Sequence, residues 1–224
     1  LALVALVTVP VTMIVTGALI VSAAVLLYRS RAGLLATLPV AGLGLGMIGV
    51  GVFYAALVRS EGTLHTFIMC VAALGVAGIS WALVGYSLAF GEGNGFIGDF
   101  DYAFLSGVGF EPLEGQTIPQ LVFFAFQGSF CIITLALVSG AVVERMSFGT
   151  FLVFSVLWSV LVYPVMAHWV FGGGFLQEGG TLDFAGGVPV EMGSGFSALA
   201  AALVVGARKD YGRLALLPHN TLLV

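Results

Sequence analysis

Charged residues are scarce in this chain of 224 residues, at 8% of the total, whereas a typical soluble domain carries about 25%. Hydrophobic residues make up 60% of the sequence, and a soluble core cannot hide that much apolar surface from water. The composition therefore excludes an ordinary soluble protein. It predicts an integral membrane protein whose solvent is lipid.

Cysteine and the motifs of soluble enzymes are also rare. The two cysteines, Cys70 and Cys131, lie in apolar runs, so we expect buried free thiols rather than a disulfide. No P-loop and no G-x-S-x-G motif occurs. Gly93, Gly95 and Gly98 match G-x-G-x-x-G by spacing, but the strand and helix that dinucleotide binding requires do not flank them. We predict that the chain is not an enzyme and uses no cofactor.

The three histidines, His65, His168 and His219, are far apart in the sequence. Their separations do not fit the spacing of metal ligands on one element. We therefore predict no metal site, and nothing in the sequence points to a nucleic-acid partner.

Long apolar runs dominate what is present. Only helices and closed barrels can span lipid, because every backbone polar group must be paired internally. The runs are continuous rather than alternating, which predicts helices. They cover 1–27, 33–57, 64–90, 118–143, 150–172 and 191–206, and a further run starts at Leu214. Five of these are expected to span, the first is an additional N-terminal helix, and the abundant Gly, 32 residues, suits close helix packing.

Loop charges predict the orientation, because basic loops stay in the cytoplasm. After the second run, three loops contain Arg or Lys, and two contain only acidic charges. The basic loops are 58–63, 144–149 and 207–213, and the acidic loops are 91–117 and 173–190. We expect the basic loops inside and the acidic loops outside. Arg29 and Arg31, between the first two runs, do not fit this scheme if residues 1–27 span.

Two apolar segments carry side chains that suit either packing or function. Phe126 and Phe130 lie on one helical face with Gln127 between them, and such rings either pack or form a constriction that holds a cation. His168 and Trp169 lie near the outer end of another run, where a packing histidine and an interfacial anchor are the ordinary interpretation.

Glu191 is the ionisable residue that the composition explains least. An intramembrane carboxylate costs about 2.5–3.5 kcal/mol on insertion scales and commonly faces a bundle interior or a water-filled path. Alternatively, Glu191 lies in a first helical turn behind Pro189, where acids are favourable. Charge spacing alone leaves both interpretations open.

Several stretches in order resemble the ammonium transporter family, the Amt/Mep/Rh group, and most closely its Amt/Mep branch. They are GYSLAFGEGN (85–94), FQGSFCIITLALVSGAVVERMSF (126–148), AHWVFGGGF (167–175), DFAGG (183–187) and PHN (218–220). The resemblance implies an all-α membrane bundle of eleven helices per subunit, assembled as a homotrimer in the cell membrane. Residues 34–224 would be its N-terminal half, with five helices and the start of a sixth, and residues 1–33 would be an extra helix and basic turn.

The resemblance also implies roles for individual residues. Phe126 and Phe130 match the aromatic residues of the external ammonium site and its gate, and Gln127 lies between them as in the family. Four further positions match family-typical residues with expected structural or vestibule roles: Asp183, His168, His219 and Asn220.

Two matched positions depart from the family pattern. Phe171 stands where a tryptophan usually helps to bind ammonium, and Phe is the weaker cation–π partner. Glu191 stands where the first of two pore histidines is usual, although some fungal-type members carry an acid there.

The resemblance implies transport of ammonium or ammonia through a pore in each subunit, with a PII-type regulator as a family-level partner on the cytoplasmic face. An ammonium sensor coupled to a signalling module is the main alternative. A neutral ammonia channel of the Rh type is a second one.

Overall fold

The computed structural model describes residue 46 and residues 48–215 and 217–222. The expected helix at 1–27 and the expected N-terminal region 1–33 lie outside the described residues. The described part consists of helices joined by loops, with two isolated bridges rather than strands. This architecture confirms the predicted all-α membrane fold.

Four helices are long and apolar enough to cross a membrane. They are α2 (Ser60–Phe90), α3 (Gln120–Ala141), α4 (Phe148–Glu178) and α5 (Gly187–Val205), and the shorter apolar helix α1 (Ile48–Leu57) precedes them. Their positions agree with four of the predicted runs. The described residues from Leu214 onward lie in turns and irregular structure rather than in a helix.

A Trp81-centred aromatic cluster forms the core between α2, α3 and α4. The Trp81 ring lies 5.9 Å from both the Tyr86 and Tyr163 rings, and its Nε1–H donates to the Phe124 carbonyl at 3.1 Å. Gly128 permits this approach, because a Cβ there would lie 2.7 Å from Trp81 Cδ1. The close approach of small residues is how helices pack in lipid.

The three basic loops meet at one end of the bundle. Arg59 donates two hydrogen bonds to the Glu144 carboxylate, at 3.3 and 3.0 Å, and one to Asp210 at 3.0 Å. Hydrogen bonds to Glu144 and then to Asp210 raise the pKa of Arg59 above its ordinary value. These contacts place the three loops on the same side, as the charge pattern requires.

Candidate functional site

Asp183 organises the start of α5. Its Oδ1 accepts N–H bonds from Ala185, Gly186 and Gly187 at 3.2, 2.7 and 2.8 Å, and its Oδ2 accepts from Val188 at 2.8 Å. The first N–H groups of a helix have no partner within the helix, so an acidic side chain there satisfies them and complements the helix dipole. One carboxylate thus fixes the whole entry of α5.

The same contacts determine the ionisation of Asp183. Partial burial acts to raise its pKa, but the four backbone donors outweigh that effect and leave the pKa below its ordinary value. Asp183 is therefore a stable anion at neutral pH. Its lone pairs are engaged by the main chain.

Glu191 lies in a π-helical turn, Gly187–Met192, with which α5 begins. The amides of Val190 and Glu191 both donate to the Gly186 carbonyl, at 2.9 and 3.3 Å, and Pro189 contributes no amide hydrogen. Single π turns are frequent at functional sites. The Glu191 side chain is exposed, as is neighbouring Met192, so it projects from a face of α5 that the described residues leave uncovered.

Phe126 and Phe130 form an edge-to-face pair on α3. Their ring centroids lie 4.9 Å apart with the planes at 81°, and Phe126 is 39% exposed. Gln127 is buried between them along the helix, and its Oε1 has no hydrogen-bond partner among the described residues. α5 packs against α3, so the helix with the aromatic pair and the helix with Glu191 are neighbours.

Phe171 is half-buried at the end of the second helical segment of α4, Tyr163–Phe171. In the described part of the chain no ring–ring contact joins it to the Phe126–Phe130 pair. The structure therefore pairs Phe126 with Phe130 and does not stack Phe171 on either ring.

The loop after α2 is bound to the end of α4 by hydrogen bonds to the main-chain carbonyls of the loop. The carbonyls of residues 94–96 accept, in order, from His168 Nε2 at 2.7 Å, from the Phe175 amide at 2.9 Å and from Trp169 Nε1 at 3.0 Å. His168 is completely buried, and its Nδ1 also lies 2.9 Å from the Ala89 carbonyl. This end of the bundle is thus tied together by hydrogen bonds to the carbonyls of three consecutive residues.

His219 and Asn220 lie at the other end of the bundle, with the basic loops. His219 Nδ1 lies 3.0 Å from the Val58 carbonyl, and the Asn220 side chain accepts from the Leu222 amide at 3.1 Å. The structure does not bring these two residues near the outer aromatic pair. The His219 contact links the turn after α5 to the end of α1.

One contact at the site was not predicted. The Trp158 Nε1–H on α4 donates to Ser197 Oγ on α5 at 2.8 Å. This bond ties α5 to α4 on the C-terminal side of Glu191. A buried indole N–H needs an acceptor, so the sequence indicates that Trp158 has a hydrogen-bond partner. Spacing along the chain cannot identify that partner. Within the described residues no group of three His, Cys, Asp or Glu is arranged to hold a metal ion.

These features define a multi-pass helical membrane protein with an aromatic pair on one helix and a carboxylate on its neighbour. The model of the Ammonium Transporter Family matches residues 36–224. The ammonium transporter of Bacillus subtilis is 47% identical over 173 residues, which are 77% of this chain and 42% of that protein. The chain belongs to the ammonium transporter family, in agreement with the prediction that it is not an enzyme.

Solved structures agree with this assignment. The crystal structure of Candida albicans Mep2 matches with a TM-score of 0.74 at 35% identity, covering 83% of this chain and 42% of Mep2. A structure titled Sensor Amt Protein matches with a TM-score of 0.75 at 24% identity, covering 84% of this chain and 48% of the other, and this likeness concerns the fold alone. The chain spans less than half the length of these relatives.

Proposed function

We propose that the whole protein carries ammonium, or ammonia derived from it, across the cell membrane. The observation that carries the proposal is the neighbouring placement of the Phe126–Phe130 pair on α3 and the exposed Glu191 on α5. An aromatic pair can hold a small cation on its ring faces. A carboxylate on the adjacent helix can then stabilise the charge or accept the proton.

The path begins at the outer surface. The acidic residues of loop 91–117 raise the local concentration of cations at the mouth. The rings of Phe126 and Phe130 then bind and partly dehydrate ammonium, and the Oε1 of buried Gln127, which has no partner among the described residues, is an acceptor in the same helical turn. Phe171 lies at the position of the usual tryptophan and is the weaker cation–π partner, so recruitment depends more on the other groups.

Glu191 governs the passage of the ion beyond the aromatic pair. Bare transfer of a cation through a dry apolar pore is prohibitive, so the charge must be stabilised or the proton removed. Ionised, Glu191 attracts cations and relaxes selectivity against potassium. Protonated, it donates a hydrogen bond to ammonia.

The test is the pair Glu191→Gln and Glu191→His in the full-length protein, reconstituted in liposomes. We expect both variants to change the transport rate, the ammonium-to-potassium selectivity or the pH dependence, because each removes the carboxylate. Thr150, exposed at the other end of the bundle, provides the control Thr150→Ser. Unaltered transport in both Glu191 variants would refute a pore role.

Two further functions remain as alternatives. A sensor would bind ammonium with little flux and carry an output domain, which the complete reading frame would reveal. An Rh-type channel would pass neutral ammonia, so adding ammonium would give no current that depends on membrane potential. The proposal also includes the family's homotrimer, a role in nitrogen uptake and a PII-type regulator at the cytoplasmic loops.

A further inference from the structure

The buried side chain of His168 makes two contacts that the proposed path of ammonium does not use. Its Nδ1 lies 2.9 Å from the Ala89 carbonyl oxygen, and its Nε2 lies 2.7 Å from the Asn94 carbonyl oxygen. The side chain is 0% exposed, so water does not compete for either nitrogen. Both distances are those of ordinary hydrogen bonds.

Both partners of His168 are backbone carbonyls, which can only accept. A neutral imidazole has one N–H and one lone pair. In the neutral form, one ring nitrogen would point its lone pair at a carbonyl oxygen less than 3 Å away, which is repulsive. Only the doubly protonated ring donates to both oxygens.

We propose that His168 is an imidazolium, a buried cation that clamps the end of α2 to the outer loop. This assignment goes beyond the proposed transport function and does not depend on the transported species. His168 is a positioning residue, because it acts through the loop rather than on the transported ion.

The surroundings of His168 offset the cost of burying its charge. Ala89 lies in the last turn of α2, whose final carbonyls lack helical partners and carry the negative end of the helix dipole. A cationic histidine at a helix C-terminus is favourable for this reason. Gly172 permits the approach, because a Cβ there would lie 1.9 Å from the Ala89 oxygen and 2.7 Å from His168 Nδ1.

The charged groups around the clamp are acidic. The clamped loop carries Glu92 and Asp99, and Asp99 lies against the backbone of Gly91. On the segments that pack against the helical segment of His168, the ionisable groups are Tyr86, Tyr163, Glu178 at the end of α4, and Glu191 in the first turn of α5, and Asp183 lies just before α5. Loops 91–117 and 173–190 contain acidic residues and no Lys, Arg or His, so they bring no second cation to this end of the described chain.

The first experiment measures the protonation of His168 directly. The full-length protein in lipid is labelled with ¹⁵N-histidine and carbonyl-¹³C alanine, and the Ala167–His168 pair identifies the residue in solid-state NMR spectra. We expect both ring nitrogens of His168 to carry hydrogen. One protonated nitrogen and one bare nitrogen would overturn the assignment, and this measurement needs no variant that has to fold.

The second experiment tests the clamp. Glutamyl endopeptidase acts on the full-length protein, and mass spectrometry compares cleavage after Glu92, in the clamped loop, with cleavage after exposed Glu114. His168→Gln should raise the relative cleavage at Glu92 by about 10- to 100-fold, because a hydrogen bond of a charged group is lost from the closed loop.

His65→Gln is the matched control. His65 has one ring nitrogen near one carbonyl, that of Met146, at 3.3 Å, so a neutral ring suffices there and it lies far from the loop. Its replacement should leave cleavage after Glu92 unchanged. Equal cleavage after Glu92 in the His168→Gln and unaltered proteins would show that no clamp exists.

Discussion

Replacing Asp183 by alanine removes the acceptor of four backbone N–H groups at the start of α5. The amides of Ala185 and Gly187 belong to exposed residues, so water can replace the carboxylate there at little cost. The amides of Gly186 and Val188 are better shielded. Each costs about 1–3 kcal/mol if it is left unpaired, so the two together predict a loss of about 2–6 kcal/mol.

Asp183→Asn should cost less than Asp183→Ala. The amide oxygen can keep the three contacts of Oδ1, whereas the NH₂ group would face the Val188 amide as a second donor and the negative charge at the helix start is lost. Loss of a single cap costs about 0.5–2 kcal/mol. The stability of Asp183→Asn should therefore lie between that of the unaltered protein and that of Asp183→Ala. The assay is the unfolding midpoint of the full-length protein in mild detergent.

The acid sensitivity of the same proteins gives a second measurement. An unfolded aspartate has a pKa of about 3.9, and the pKa of Asp183 in the folded protein is lower. The stabilisation is therefore complete above the unfolded pKa and is lost as the pH falls through the folded pKa. The unaltered protein should lose stability in that acidic range, and Asp183→Asn should lose less. Equal midpoints for all three proteins at neutral pH would refute the capping argument.

Three further predictions concern packing and loop contacts. Gly128→Ala should lower the free energy of unfolding by about 1–3 kcal/mol through overpacking against Trp81, whereas Gly149→Ala, with open space around it, should raise it by about 0.5–1 kcal/mol. The same detergent assay measures both, and equal effects would contradict the tight contact. Cys70 and Cys131, both free and buried, should react with a maleimide only after unfolding, as mass spectrometry would show. Arg59→Gln should lower the thermal midpoint at low salt and less at high salt, because these partly exposed ion pairs are screened; a difference independent of salt would contradict this.

The hydropathy of the sequence was sufficient to predict the helices but not their exact ends. The predicted run at 150–172 continues in the structure as α4 to Glu178, and the run predicted from 191 begins at Gly187. The second difference arises because the Asp183 cap starts the helix ahead of the apolar stretch. Asp183 lies four positions before the first residue of α5, so the apolar pattern of the helix cannot predict this cap.

The candidate site was predicted in part. The i, i+4 spacing of Phe126 and Phe130 is sufficient to predict their contact, because residues four apart meet on a helix face. The His168 contacts and the Trp158–Ser197 bond join residues between 39 and 79 positions apart. Such contacts depend on how the helices pack, which residue spacing does not encode. The roles of Glu191 and Phe171 remain predictions.

The cap at Asp183 has a consequence for which side chains α5 can carry. It engages only main-chain amides, of Ala185 and Gly186 before α5 and of the first two residues of α5, and therefore depends on no side chain of that helix. The side chain at position 191 can accordingly change while its backbone keeps the same support. The group that α5 presents there can thus vary independently of the scaffold that presents it.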